Sequence, residues 1–158
     1  MKRMFMVLAL LALTATGALA QDGDGSSIGM FADTSALVCD ASVAVYATTS
    51  VYFIAVLNGD LIPSLSAVQF EVSNWPATAG QGLITYAWNT QLVIGTPDTD
   101  MALAFNPPLT APLAFLGQVD FFALNAAWIG NDYEMAVIGS YDAPLPIIVR
   151  FSDASEIY

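Results

Sequence analysis

Histidine is absent from this chain, cysteine occurs once, and Lys and Arg together number 3 against 14 acids in 158 residues. Each scarcity closes off some chemistry. Without histidine there is no Ser-His-Asp relay, and one cysteine with no histidine excludes the usual zinc sites. A net charge of −11 with so few cations argues against nucleic acid, whose phosphates are gripped by clustered Lys and Arg. There is no GxSxG elbow, no GxxxxGK and no GxGxxG after a strand, so nucleophilic and phosphate-binding signatures are missing as well. Helical periodicity is also lacking, because no segment keeps it over three turns. Charged residues make up 11% of the chain and apolar ones 56%, where about a quarter charged is usual.

What is present begins with the N-terminus. Lys2 and Arg3 precede an almost wholly apolar run from Phe5 to Ala15, and Ala18-Leu19-Ala20 has the small-x-small form of a signal-peptidase site. These three parts together predict a secretory signal peptide over residues 1–20. The run is short for a membrane span, and no cysteine stands at the cleavage point to take a lipid. Cleavage after Ala20 leaves 138 residues, in which Arg150 alone faces the 14 acids, a net charge of −13. The mature protein is expected to be secreted, periplasmic or extracellular, with no stable membrane insertion. Its length suits one domain. Export permits disulfides, but Cys39 has no internal partner. It reads as a buried, inert thiol or as one half of an intermolecular bridge. No mature His or Lys stands ready to activate it.

Residues 21–27, QDGDGSS, read as a flexible leader, and residues 28–158 as a single domain of short apolar runs rich in Val, Ile, Phe, Tyr and Thr. The runs are Ile28 to Asp33, Ser42 to Ala47, Val51 to Leu57, Ser66 to Asn74, Leu83 to Asn89, Gln91 to Gly95, Met101 to Phe105, Leu113 to Leu124, Glu134 to Ser140 and Pro146 to Phe151. Asn58-Gly59 is a strong turn signal. Val68, Phe70 and Val72 alternate with Gln69, Glu71 and Ser73, the pattern of a strand with one buried face. Trp75-Pro76 and Asn106-Pro107-Pro108 are read as strand ends, since proline lacks the ladder donor. About nine strands without intervening helices predict an all-β fold, an antiparallel β-sandwich of jelly-roll or immunoglobulin-like form.

The order Ile28-Gly29-Met30-Phe31-Ala32-Asp33, Cys39, Val51 to Leu57, Ala67 to Val72, Leu103-Ala104-Phe105, Pro107-Pro108 and Leu113 to Leu116 resembles a group of bacterial exported proteins. That group is similar to cohesin-like and carbohydrate-binding β-sandwich modules. The resemblance spans most of residues 28–151 and rests on apolar strands in sequence. It implies a jelly-roll or immunoglobulin-like sandwich and gives no activity. The chain departs from the group in its unpaired cysteine and in being a single module, so dockerin binding is carried over to no residue.

Two kinds of site remain open. Trp75, Trp88 and Trp128 form a sugar-stacking platform or pack at the core and rim. Asp98 with Asp100, and Asp132 with Glu134, offer hard oxygen ligands for calcium, or cap turn amides. Asp22 and Asp24 lack the later ligands of an EF-hand. A catalytic carboxylate pair would draw on Asp120 and Glu71, although Glu71 reads as a solvated, outward carboxylate. The reading is therefore a non-catalytic exported module with a structural, adhesive or binding role, its partner a protein or polysaccharide at the cell surface. The alternative is a carbohydrate-binding or small glycan-active protein. Subunit pairing by strand addition would need an exposed apolar edge or a donor segment, and the polar leader cannot donate.

Overall fold

The computed structural model describes residues 20–21, 25–129, 134–140, 144–151 and 155–157. These residues form eleven strands: β1 (Ala20–Gln21), β2 (Ser27–Phe31), β3 (Thr48–Val56), β4 (Ser64–Ser73), β5 (Gly82–Trp88), β6 (Leu92–Thr96), β7 (Asp100–Thr110), β8 (Leu113–Ala123), β9 (Ala136–Ile138), β10 (Ile147–Arg150) and β11 (Glu156–Ile157). Nine of them are three residues or longer. A single 3₁₀ turn, Ala126–Trp128, follows β8. No helix among the described residues is long and apolar enough to cross a membrane.

The strands make two antiparallel sheets, in the orders β1-β2-β3-β8-β5 and β11-β10-β4-β7-β6, with β9 pairing alongside β4. They pack as a β-sandwich. Strand β3 lies between β2 and β8 and is accordingly apolar along most of its length. Strand β4 has the alternation read from sequence: Val68, Phe70 and Val72 are buried, and Gln69, Glu71 and Ser73 are half-buried on the other face. Phe53 of β3 stacks on Phe70 of β4 across the two layers, centroids 5.6 Å apart, and marks the centre of the core. Around it pack Ile28, Leu65, Leu103, Leu116 and Val119, all buried. Burial on this scale stabilises by roughly 1.5–3 kcal/mol per large aliphatic side chain.

Several boundaries differ from the sequence reading. Ser42 to Ala47 is not a strand. Its only pairing is an isolated bridge from Val45 to Ala123, and Tyr46 adopts a positive φ of 59°. An extended strand cannot run through that conformation. Strand β7 does not end at Asn106-Pro107-Pro108. Pairing resumes beyond them, Ala67 opposite Ala104 and Leu65 opposite Leu109, so Phe105 to Pro108 bulge out opposite Ser66. A bulge is one of the few places in a sheet that tolerates proline. At the start of the domain, Ser27 already belongs to β2, and Ser26 is buried with its hydroxyl accepting the Asn58 N–H at 3.0 Å. The end of the segment read as leader is therefore built into the fold.

Cys39 is exposed, not a buried hydrophobe. The reason lies upstream. The Asp33 carboxylate accepts the N–H groups of Leu37 and Val38, both at 3.0 Å, and this tight turn carries Leu37, Val38 and Cys39 outward. The hydrogen bond from Val38, with that from Leu37, holds the Asp33 carboxyl below its ordinary pKa.

The sandwich is open along one side. Among the described residues, β5 and β6 each end their sheet on this side. Ile84, Tyr86 and Trp88 lie opposite Phe121, Val119 and Gly117 of β8, so all three face inward. No strand covers them completely, and Tyr86 remains 43% exposed. Strand β6 is exposed throughout, with Leu92 at 60% and Ile94 at 67%, and contains neither charge nor proline.

Candidate functional site

Aromatic rings run in an unbroken sequence through this open side. From the core centre, Phe53 meets the Trp88 indole edge-on, centroids 5.3 Å apart at 69°. Trp88 lies near-parallel to Tyr86, 6.2 Å and 17°. Tyr86 lies near-parallel to Trp75, 6.4 Å and 16°. Trp75 then tilts against Phe121 at 5.4 Å, and Phe121 meets Trp128 edge-on at 6.2 Å. The arc is rooted in the core at both ends and surfaces in the middle, at Trp75, Tyr86 and Trp88.

Local structure explains each position. Tyr86 and Trp88 are two residues apart on β5, so the period of a strand puts both on one face. Trp88 can lie flat over β8 because its cross-strand partner is Gly117. A Cβ there would stand 2.4 Å from the indole and 2.9 Å from the Trp88 backbone. Trp75 follows the end of β4, where Asn74 turns the chain with a φ of 56°.

The sequence leaves Trp75, Trp88 and Trp128 open as one platform or as core and rim packing. The structure brings the first two together through Tyr86, and it removes Trp128. That indole is 4% exposed, its Nε1–H donates to the Ala77 carbonyl at 3.1 Å, and it fills the space over Gly82. A Cβ on Gly82 would stand 2.2 Å from the Trp128 ring, so the glycine provides an interior seat for it. Tyr86 was not among the candidates. Its signal in the sequence is the i, i+2 spacing to Trp88 within a strand.

Polar groups attend the arc. Burial pushes the Tyr86 hydroxyl above its ordinary pKa, the Asp98 carboxylate adds to that rise, and a hydrogen bond from the Trp75 side chain opposes it. Asp98 is carried there by the β6–β7 hairpin, whose Pro97 carbonyl accepts the Val72 N–H at 2.6 Å.

Of the calcium candidates, Asp98 lies in the β6–β7 connection and Asp100 begins β7. Both carboxylate oxygens of Asp100 accept from the Gln69 amide, at 3.1 and 3.3 Å. Glu134 is exposed, and its carbonyl accepts from the Asn74 side chain at 3.0 Å. Asp132 lies outside the described residues, as do Asp22 and Asp24. No group of three or more Cys, Asp or Glu suited to a metal ion occurs among the described residues. Asp120 accepts from Ser50 at 2.7 Å and from Gln118 at 2.6 Å on the outer face of β8. Glu71 points outward from β4, in the other sheet. These two acids therefore stand on opposite faces of the sandwich and cannot act on one bond.

Beside Trp88 the open edge deepens into a cleft of about 710 Å³. Its walls are the β5–β6 connection, Asn89 to Gln91, and the β7 bulge, Phe105 to Pro108. Compared with known proteins, the chain matches no family model, no curated protein and no solved structure.

Proposed function

We propose that this chain is a non-catalytic, exported β-sandwich binding module, acting at or outside the cell envelope, whose ligand is a polysaccharide. The observation that carries the reading is the Trp75–Tyr86–Trp88 row, with adjacent planes within 17° of parallel and the central ring substantially exposed. Sugar rings present flat C–H faces that pack on aromatic faces, and their hydroxyls need donors and acceptors close by. Aromatic side chains give large contact area at low entropic cost. The Tyr86 O–H and the Asp98 carboxylate supply the polar partners. Export is supported by the three-part N-terminal segment, Lys2 to Ala20.

Native affinity electrophoresis in gels containing soluble polysaccharides, with pull-down on insoluble ones, tests the reading. The wild-type chain is expected to be retarded by at least one glycan, and Tyr86→Ala to migrate as in a plain gel. Equal mobility of both proteins in every glycan gel would discard the polysaccharide.

A further inference from the structure

We propose that the ring row and the cleft are one groove, joined at Trp88, and that it holds an extended chain of uncharged sugar residues while rejecting polyuronates and sulfated glycans. This rests on the polysaccharide reading above and narrows it.

Continuity comes from Trp88 itself. Its indole is both the end of the near-parallel row and a wall of the cleft. A chain lying along Trp75 and Tyr86 is thus led past Trp88 into the space between the β5–β6 connection and the β7 bulge. The cleft volume, about 710 Å³, lies within the roughly 300–1,000 Å³ usual for small-ligand pockets. Ring row and cleft together exceed what one sugar residue needs, so the site suits an oligomer.

The preference for an uncharged chain follows from the groups present. Among the described residues, the cleft is lined by no acid and no base. Of its polar residues, two are already engaged in holding the walls together. The Asn89 amide donates to the Phe115 carbonyl at 3.0 Å, and the Thr90 hydroxyl donates to the Ala104 carbonyl while accepting the Leu92 N–H. Gln91 and Asn106, one on each wall and both exposed, are the side chains placed to meet a ligand. Amides both donate and accept, as sugar hydroxyls do. A carboxylate or sulfate would find no cation here. Along the row it would meet Asp98, whose charge reaches the central ring, Tyr86. Over the whole molecule it would meet a net −11, or −13 once residues 1–20 are removed, and like charges brought together at an interface are costly.

The test uses the full chain and the double variant Gln91→Ala/Asn106→Ala, which leaves the ring row intact. Neutral glucan, xylan and mannan are compared with polygalacturonate and a sulfated galactan in affinity gels. Oligosaccharides of increasing length from the retained polymer are then titrated calorimetrically. Retardation is expected from a neutral polymer and not from the polyanions, with affinity rising with oligomer length. The double variant should bind the longest oligomer roughly tenfold more weakly, the worth of about two neutral hydrogen bonds, and the shortest unchanged. Retardation by polygalacturonate as strong as by a neutral glycan, affinity independent of length, or a double variant that binds every oligomer like wild type overturns this inference and leaves the polysaccharide reading standing. Absence of retardation by every glycan overturns both.

Discussion

Two tryptophans in this molecule are seated in the same way and end in opposite places. Trp128 lies over Gly82 and Trp88 over Gly117, each glycine leaving the room that a Cβ would fill. Trp128 comes from a 3₁₀ turn beyond β8 and folds back beneath the sheet connections, where the Ala77 carbonyl takes its N–H. Trp88 belongs to a strand that ends its sheet among the described residues, so one side meets Phe53 and another faces the cleft. A glycine seat decides how closely an indole can approach a sheet. The position of the strand within the sheet decides whether the ring stays available to a ligand.

The sharpest way to separate the two seats is to empty them. Trp128→Ala should destabilise the fold by about 3–5 kcal/mol, the range for a buried large aromatic, and leave glycan retention of the folded fraction unchanged. Chemical denaturation with parallel affinity gels measures both. Trp88→Ala should cost less, about 2 kcal/mol, because the ring is half-buried, yet abolish retention. Similar retention losses for the two variants would erase the distinction.

Filling the seats is milder than emptying them. Gly82→Ala and Gly117→Ala should each destabilise by about 1–2 kcal/mol through overpacking. Only Gly117→Ala should weaken glycan binding, since it displaces Trp88 and with it the row. The smallest effect is expected at the ring between the two indoles. Tyr86→Phe should change stability at neutral pH by less than about 0.5 kcal/mol. Its signature is in alkali. The folded pKa of Tyr86 is raised, so its contribution is complete below the unfolded value, about 10, and is lost as pH rises through the folded value. Wild type should therefore lose stability more steeply than Tyr86→Phe in alkaline melts. Parallel alkaline limbs for the two proteins would contradict this assignment.

Much of this architecture is legible in the sequence, for reasons that differ by element. The period-2 alternation of Ser66 to Asn74 reports a half-buried strand directly, and Asn58-Gly59 reports the turn that closes β3. Ser42 to Ala47 misleads because Val43, Val45 and Tyr46 have strand composition but meet β8 only at its last residue, Ala123. Pro107 and Pro108 mislead because a local rule about missing donors cannot see that a bulge absorbs them. The candidate site divides along the same line. Trp75 and Trp88 stand out by their chemistry, and Tyr86 is within reach through its spacing from Trp88. Trp128 stands near the end of an apolar run, which suggests a rim. Its burial depends on Gly82, a residue distant in the chain that only the fold brings beneath it.

Strand β6 gives ionic strength two opposing effects. Its backbone edge is open and flanked by Leu92, Val93 and Ile94, with none of the lysines or prolines that usually discourage edge-to-edge pairing. Two copies of so acidic a chain, net −11 before and −13 after removal of residues 1–20, repel one another. Added salt relieves the repulsion within one molecule and should raise its melting temperature, but it also shortens the range over which two molecules repel. The conditions that make a single copy hardest to unfold are therefore those in which it is least protected from its neighbours, and colloidal stability and folding stability should move in opposite directions along a salt titration.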